Sequence, residues 1–117
     1  VIRTVGIGES FLAEKIASWE NSLPPHVKLA YLPSLGEVRL RLTATGTDQE
    51  ALTKESHQLV AQLRPLAGEY IFGIGDIPLE VVLGNTLRDK KLTLAVAESC
   101  TGGYLSHLIT SVPGSSD

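Results

Sequence analysis

At 117 residues, with 43% hydrophobic and 20% charged residues, the chain has an ordinary globular composition, which excludes disorder, and it can hide roughly two-thirds of its unfolded surface. A net charge of −3 gives phosphate-backbone binding no support, so nucleic acid is not an expected partner. The single cysteine, Cys100, excludes an internal disulfide; no apolar run reaches the roughly 20 residues of a membrane span and no secretory leader opens the chain, so a cytoplasmic location without membrane contact is expected.

Val1 to Ile7 is rich in β-branched residues and punctuated by Gly6 and Gly8, which predicts a strand. The chain has no Met and opens directly in this strand, so its start is expected to be an upstream cut or a processed end. Ser10 is suited to cap a following helix in which Leu12, Ile16, Trp19 and Leu23 share one face, with Trp19 as a core anchor. Pro24 and Pro25 stop that helix. Val27 to Leu32 reads as a second strand, Pro33 to Gly36 as a turn, and Glu37 to Thr43 as a third strand. In that third strand Val38, Leu40 and Leu42 face in, while Glu37, Arg39 and Arg41 face out, so the pair forms an antiparallel hairpin. Thr47 to Glu50 matches a capping box for a second helix with Leu52, Leu59, Val60 and Leu63 on one face, ending near Pro65 to Gly68. Tyr70, Phe72 and Ile74 mark a fourth strand.

The order β-α-β-β-α-β predicts an α+β domain of the split βαβ type, with both helices on one face of the sheet. Residues 1–75 are expected to close as this unit. Residues 76–117 open with a helix, Pro78 in its first turn and Leu79, Val82, Leu83 and Leu87 on its face. Leu92 to Ala97 reads as an apolar strand of the kind covered on both sides, and Tyr104, Leu105, Leu108 and Ile109 lie on a further helix. A strand of that kind needs neighbours, and residues 76–117 supply none, so this part reads as an incomplete α/β piece.

The segment richest in chemistry joins that apolar run to the last helix: Glu98-Ser99-Cys100-Thr101-Gly102-Gly103. A helix start presents free N–H groups and the positive end of its dipole, and the hydroxyls of Ser99 and Thr101 add donors. Gly102 and Gly103 allow close approach of a ligand to the backbone. The pattern suits a phosphate or a developing oxyanion, and it equally suits a plain capped turn; composition leaves both open. It is neither a Walker loop nor GxGxxG. Cys100 is placed where a thiolate is favoured, but His26, His57 and His107 fall on separate elements, and a small buried residue is the simpler reading. No metal-ligand spacing occurs, and no cofactor is implied. Asp48, Glu50 and Glu55 read as a solvated acidic face, and Arg88, Lys90 and Lys91 as a solvated basic one.

The string Leu92 to Gly103, followed about ten residues on by Pro113-Gly114-Ser115-Ser116, resembles the start of the deamidase domain of the CinA family. Gly6-Ile7-Gly8-Glu9-Ser10 and the β-α-β-β-α-β order resemble the small KH-like middle domain of the longer CinA proteins. The resemblance covers the whole chain, more strongly after residue 76. It implies a parent enzyme, a hydrolase of pyridine nucleotide recycling that converts nicotinamide mononucleotide to nicotinic acid mononucleotide and ammonia through a serine nucleophile. By motif position that serine is Ser116, with Glu98, Ser99, Thr101, Gly102 and Gly103 as substrate-binding residues. The family's lysine and tyrosine that activate the serine, and an arginine for the phosphate, lie downstream of the pair. This sequence stops at Asp117 before them, so the fragment itself is expected to be inactive. A molybdopterin-biosynthesis-like domain precedes the middle domain in the longer family members. The first domain has no Gly-x-x-Gly loop, which argues against RNA binding by it. A scaffold, dimerisation or weak nucleic-acid-binding module is the alternative function, and a homodimer or higher homo-oligomer is expected.

Overall fold

The computed structural model describes residues 1–117, and the chain divides into two compact units, Val1–Asp76 and Ile77–Asp117.

In the first unit the elements are β1 (Ile2–Val5), α1 (Glu9–Asn21), β2 (Val27–Ser34), β3 (Glu37–Ala44), α2 (Gln49–Ala67) and β4 (Ile71–Ile74), with a single 3-10 turn over Gly68–Tyr70 before β4. All strand pairs are antiparallel, in the order β2-β3-β1-β4. This is the α+β split βαβ arrangement expected from the element order. The alternation along β3 decides which face is covered. Val38 and Leu40 are buried with Ile2 and Val27 of the neighbouring strands, while Arg41 is exposed. Over that face lie Leu12, Ile16 and Trp19 of α1 and Leu59, Leu63 and Ala67 of α2, in one core. Hiding each of the larger aliphatic side chains contributes about 1.5–3 kcal/mol.

Two polar groups are built into this core. Thr4 is fully buried, and its hydroxyl donates to the Val38 carbonyl oxygen at 2.6 Å. Trp19 Nε1 donates to the Leu59 carbonyl at 3.0 Å, which ties α1 to α2 beyond their apolar contact. On the opposite face of the sheet, Arg3 and Arg39 sit side by side in the β1–β3 register. Glu37 relieves the like-charge pair by accepting from Arg3 Nε at 2.6 Å and Nη2 at 2.8 Å.

Several local expectations are corrected. The N-cap of α1 is Gly8, with extended backbone and no side-chain bond, and Ser10 lies inside the first turn. At α2 the cap is Asp48 rather than Thr47; its carboxylate accepts from the N–H groups of Glu50 and Ala51, both at 3.1 Å. A carboxylate one residue closer to the helix wins because it can take two donors and matches the dipole. The end of α2 falls where expected, at Ala67 with Gly68 as its C-cap, and Pro65 is accommodated in the last turn. The turn between β2 and β3 is only Leu35-Gly36, with Gly36 at φ 76, while Pro33 and Ser34 belong to β2. Proline is admitted there because β2 is an edge strand.

The second unit holds α3 (Leu79–Lys90) and α4 (Tyr104–Thr110). Pro78 is the N-cap of α3 rather than part of its first turn. Residues 92–97, expected as a strand, pair with no other strand, and Leu92, Leu94 and Val96 are 58%, 47% and 39% exposed. An apolar run encodes a demand for burial, but a strand exists only where another strand meets its backbone. Val112 is the buried hydrophobic residue of this unit.

Candidate functional site

Residues 98–104 link the unpaired segment 92–97 to α4 through two successive turns. The Gly102 N–H donates to Ser99 O and the Tyr104 N–H to Thr101 O, both at 3.1 Å. Gly102 at φ 61 and Gly103 at φ 92 occupy left-handed backbone, which is why glycine stands at both positions. Gly103 is the N-cap of α4 and has no side chain to satisfy the helix start.

Glu98 does so instead. Its Oε1 accepts from Thr101 Oγ1 at 2.9 Å and from the Leu105 N–H at 2.8 Å. Its Oε2 accepts from the Ser106 N–H at 3.0 Å and from the Ser106 hydroxyl. The hydroxyl of Ser106 is the leading cause that holds this carboxyl down at about 2, helped by the backbone bonds and Thr101 against a smaller opposing effect of desolvation. Glu98 is therefore ionised at neutral pH and sets its charge on the positive end of α4. The N–H groups of Leu105 and Ser106, which could have served a bound anion, are held by the protein's own carboxylate.

Cys100 is an exposed free thiol. His107 stacks on Tyr104, ring centroids 6.3 Å apart, and His26 pairs with Glu55 at 2.6 Å in the other unit. No group of three or more His, Cys, Asp or Glu side chains converges as a metal site would require. No helix is long and apolar enough to cross a membrane.

Ser116 lies beyond the other end of α4. Ser115 N–H donates to Val112 O and Asp117 N–H to Gly114 O, both at 3.2 Å, so residues 112–117 form two consecutive turns. Ser116 lines a cavity of about 610 Å³ together with Arg88, Lys91, Thr93, Ser115 and Asp117. None of Glu98, Ser99, Thr101, Gly102 or Gly103 lines it. The seven residues of α4, roughly 10 Å at helical rise, separate the two groups of expected site residues.

Of the two basic residues of this cavity, Lys91 is exposed as expected, whereas Arg88 is partly covered and engaged. Arg88 Nη1 donates to the carbonyl oxygens of Pro113 at 3.4 Å and Gly114 at 3.1 Å, while Nη2 donates to Asn85 Oδ1 at 2.7 Å. Lys91 ends α3 in left-handed backbone at φ 54 and is the one non-glycine residue of the chain with positive φ. Its N–H donates to Arg88 O and the Leu92 N–H to Leu87 O, the paired bonds of a Schellman ending in which glycine is the usual occupant. Basic residues near a helix end were the available signal in the sequence, but the same pattern occurs on any solvated helix.

Residues 1–73 match the model of the damage-inducible protein CinA KH domain, and residues 76–117 match that of the CinA C-terminal domain. The chain belongs to the CinA family. It is 52% identical over 116 residues to a CinA-like protein of Cytophaga hutchinsonii, covering 99% of this chain and 28% of that protein. A CinA-like protein of Flavobacterium psychrophilum is 53% identical over 117 residues, with the same two coverages. One from Chlorobium limicola is 44% identical over 115 residues, 98% of this chain and 27% of the relative. This CinA-family chain thus spans little more than a quarter of the length of the curated relatives it matches.

Proposed function

We propose that the protein carrying this chain hydrolyses the carboxamide of nicotinamide mononucleotide, with Ser116 as nucleophile. Ser116 Oγ attacks the carboxamide carbon, the tetrahedral adduct expels ammonia, and water then cleaves the acyl-serine ester to release nicotinic acid mononucleotide and restore the hydroxyl. The observation that carries this reading is a cavity lined by both Ser116 and Lys91, whose volume suits a mononucleotide. Lys91 serves the phosphate. The base that activates Ser116 is expected, from the family resemblance, in residues after Asp117. Glu98, Ser99, Thr101, Gly102 and Gly103 lie outside this cavity; in this reading they serve a part of the substrate that extends beyond it, with Glu98 fixing the turn rather than contacting the substrate.

Ammonia release from nicotinamide mononucleotide tests it, in a protein carrying these residues over the full length of its relatives. Ser116→Ala is expected to lower kcat at least about a thousandfold. Equal rates for the two proteins remove Ser116 from the mechanism.

A second reading, a scaffold or dimerisation module, is favoured by the unpaired apolar segment Leu92–Val96. It calls for a molar mass that rises with concentration and falls back when Leu94 is changed to Asp; a monomer at every concentration removes it.

A further inference from the structure

We propose that Arg88 is a positioning residue for the nucleophile: its guanidinium clamps the turn that presents Ser116. This rests on the assignment of Ser116 above, and it adds a role for a residue that does not touch the reacting atoms.

The argument starts from what Arg88 binds. It leaves the last turn of α3 and reaches residues 25 and 26 positions later, where Nη1 donates to the carbonyl oxygens of Pro113 and Gly114. Asn85, one turn earlier on the same helix, holds Nη2 at 2.7 Å and so fixes the plane of the guanidinium. The partners are thus neutral backbone and amide oxygens. A cation spent on two successive carbonyls sets the orientation of that peptide, and the next residues along are Ser115 and Ser116.

The sequence around the guanidinium is cut to fit it. Gly114 stands at φ 82, and a Cβ built there would meet Arg88 Nη1 at 3.0 Å and Asp117 Oδ2 at 3.2 Å. On the α3 side, a Cβ at Gly84 would touch Val112 Cγ1 at 3.7 Å and Arg88 Nη1 at 3.8 Å. Any longer side chain at Gly84 would fill the space the guanidinium crosses. The Pro113 and Gly114 carbonyls on one side and Asn85 on the other hold the guanidinium between them. With the clamp closed, the turns held by Ser115 N–H to Val112 O and Asp117 N–H to Gly114 O keep Ser116 on the cavity wall. Lysine cannot reproduce this, because a single ammonium cannot span the two carbonyls and Asn85 in one plane.

The test uses Arg88→Ala, Arg88→Lys and Asn85→Ala in the protein at the full length of its relatives, with amide hydrogen exchange at residues 115 and 117 and the kinetics of ammonia release. Exchange at those two amides is expected to rise roughly tenfold in Arg88→Ala. A kcat lower by about a hundredfold is expected, with KM within about twofold, since a misplaced nucleophile loses reactivity rather than binding. Arg88→Lys is expected to fail to restore kcat, and added guanidinium ion to restore part of it in Arg88→Ala. Should Arg88→Ala fail to fold, Asn85→Ala gives the same readings on a smaller scale. Unchanged exchange at 115 and 117 overturns the clamp. Changed exchange with unchanged kcat overturns its role in positioning. If the wild-type protein releases no ammonia from nicotinamide mononucleotide, the functional assignment fails on its own, and the clamp stands or falls on the exchange alone.

Discussion

Glu98 Oε2 accepts both the backbone N–H of Ser106, at 3.0 Å, and the hydroxyl of the same residue, so one carboxylate oxygen closes the start of α4 from eight residues away. The turn that looked like a vacant anion site is filled by a carboxylate of the chain itself. The energetic logic is that of a capping box stretched over a longer loop: orphan helix donors, a fixed negative charge and two glycines to make the approach.

The pH dependence of this contact follows from its sign. The folded carboxyl titrates at about 2 against an ordinary value of 4.5, so the depressed group contributes stability that is complete above 4.5. That contribution is lost as pH falls from 4.5 through about 2. An NMR titration of the Glu98 side-chain carbon is expected to show its midpoint near the lower value. Glu98→Ala is expected to speed amide exchange at Leu105 and Ser106 without altering exchange in α2. A midpoint at the ordinary value would show that the four donors do not act on the carboxylate in solution.

Lys91 sets stability against function. A residue with a side chain in left-handed backbone costs about 1 kcal/mol relative to glycine at the same place. Lys91→Gly is therefore expected to stabilise the chain by about that amount in urea denaturation. Under the proposed function it is also expected to raise KM for nicotinamide mononucleotide about tenfold, through loss of one charge-assisted contact to phosphate. Gain of stability with no change in KM would leave Lys91 as a cap alone.

The Arg3–Glu37 pair is a matter of relief rather than attraction alone. Both side chains are largely covered, at 13% and 18% exposure, and Arg39 is the cross-strand neighbour of Arg3. The bond from Arg3 is the main reason the Glu37 carboxyl lies below its usual range. Glu37→Gln leaves two arginines facing each other, and a loss of about 1–3 kcal/mol is expected. Part of that loss is recovered in high salt, which screens like charges. Denaturation curves at two ionic strengths measure both effects, and a salt-independent loss would point to packing instead.

Trp19→Phe removes the indole donor to Leu59 O and leaves unfilled volume between α1 and α2. A loss of about 1.5–3 kcal/mol is expected, the sum of a lost buried hydrogen bond and a partly collapsed void. Circular dichroism reports it, since this is the only tryptophan of the chain. A loss below about 0.5 kcal/mol would mean that the helices reclose around the smaller ring.

The first domain was legible because its signals are local and repetitive. Alternation in Glu37 to Thr43 and the helical spacing of Leu12, Ile16 and Trp19 each state which side is apolar, and the element order then restricts the ways those sides can meet. The caps were displaced by one or two residues at α1 and α2 because Gly8 and Asp48 compete with neighbours of similar propensity, and only geometry chooses between them. The run Leu92 to Ala97 was misread for a different reason: hydrophobicity records that a segment seeks cover, while strand identity belongs to the pair.

What the sequence by itself determined was the β-α-β-β-α-β order, the amphipathic faces that build the core, and the strings that tie the chain to the CinA family. Tertiary structure alone decided that Glu98 holds the start of α4, that Arg88 grips Pro113 and Gly114, and that Ser116 lies at the far end of α4 from the glycine turn. The physical reason is range. Periodicity and propensity act over one or two turns of chain, whereas a hydrogen bond between a side chain and a distant backbone group depends on where the intervening loop brings them, which no local pattern encodes.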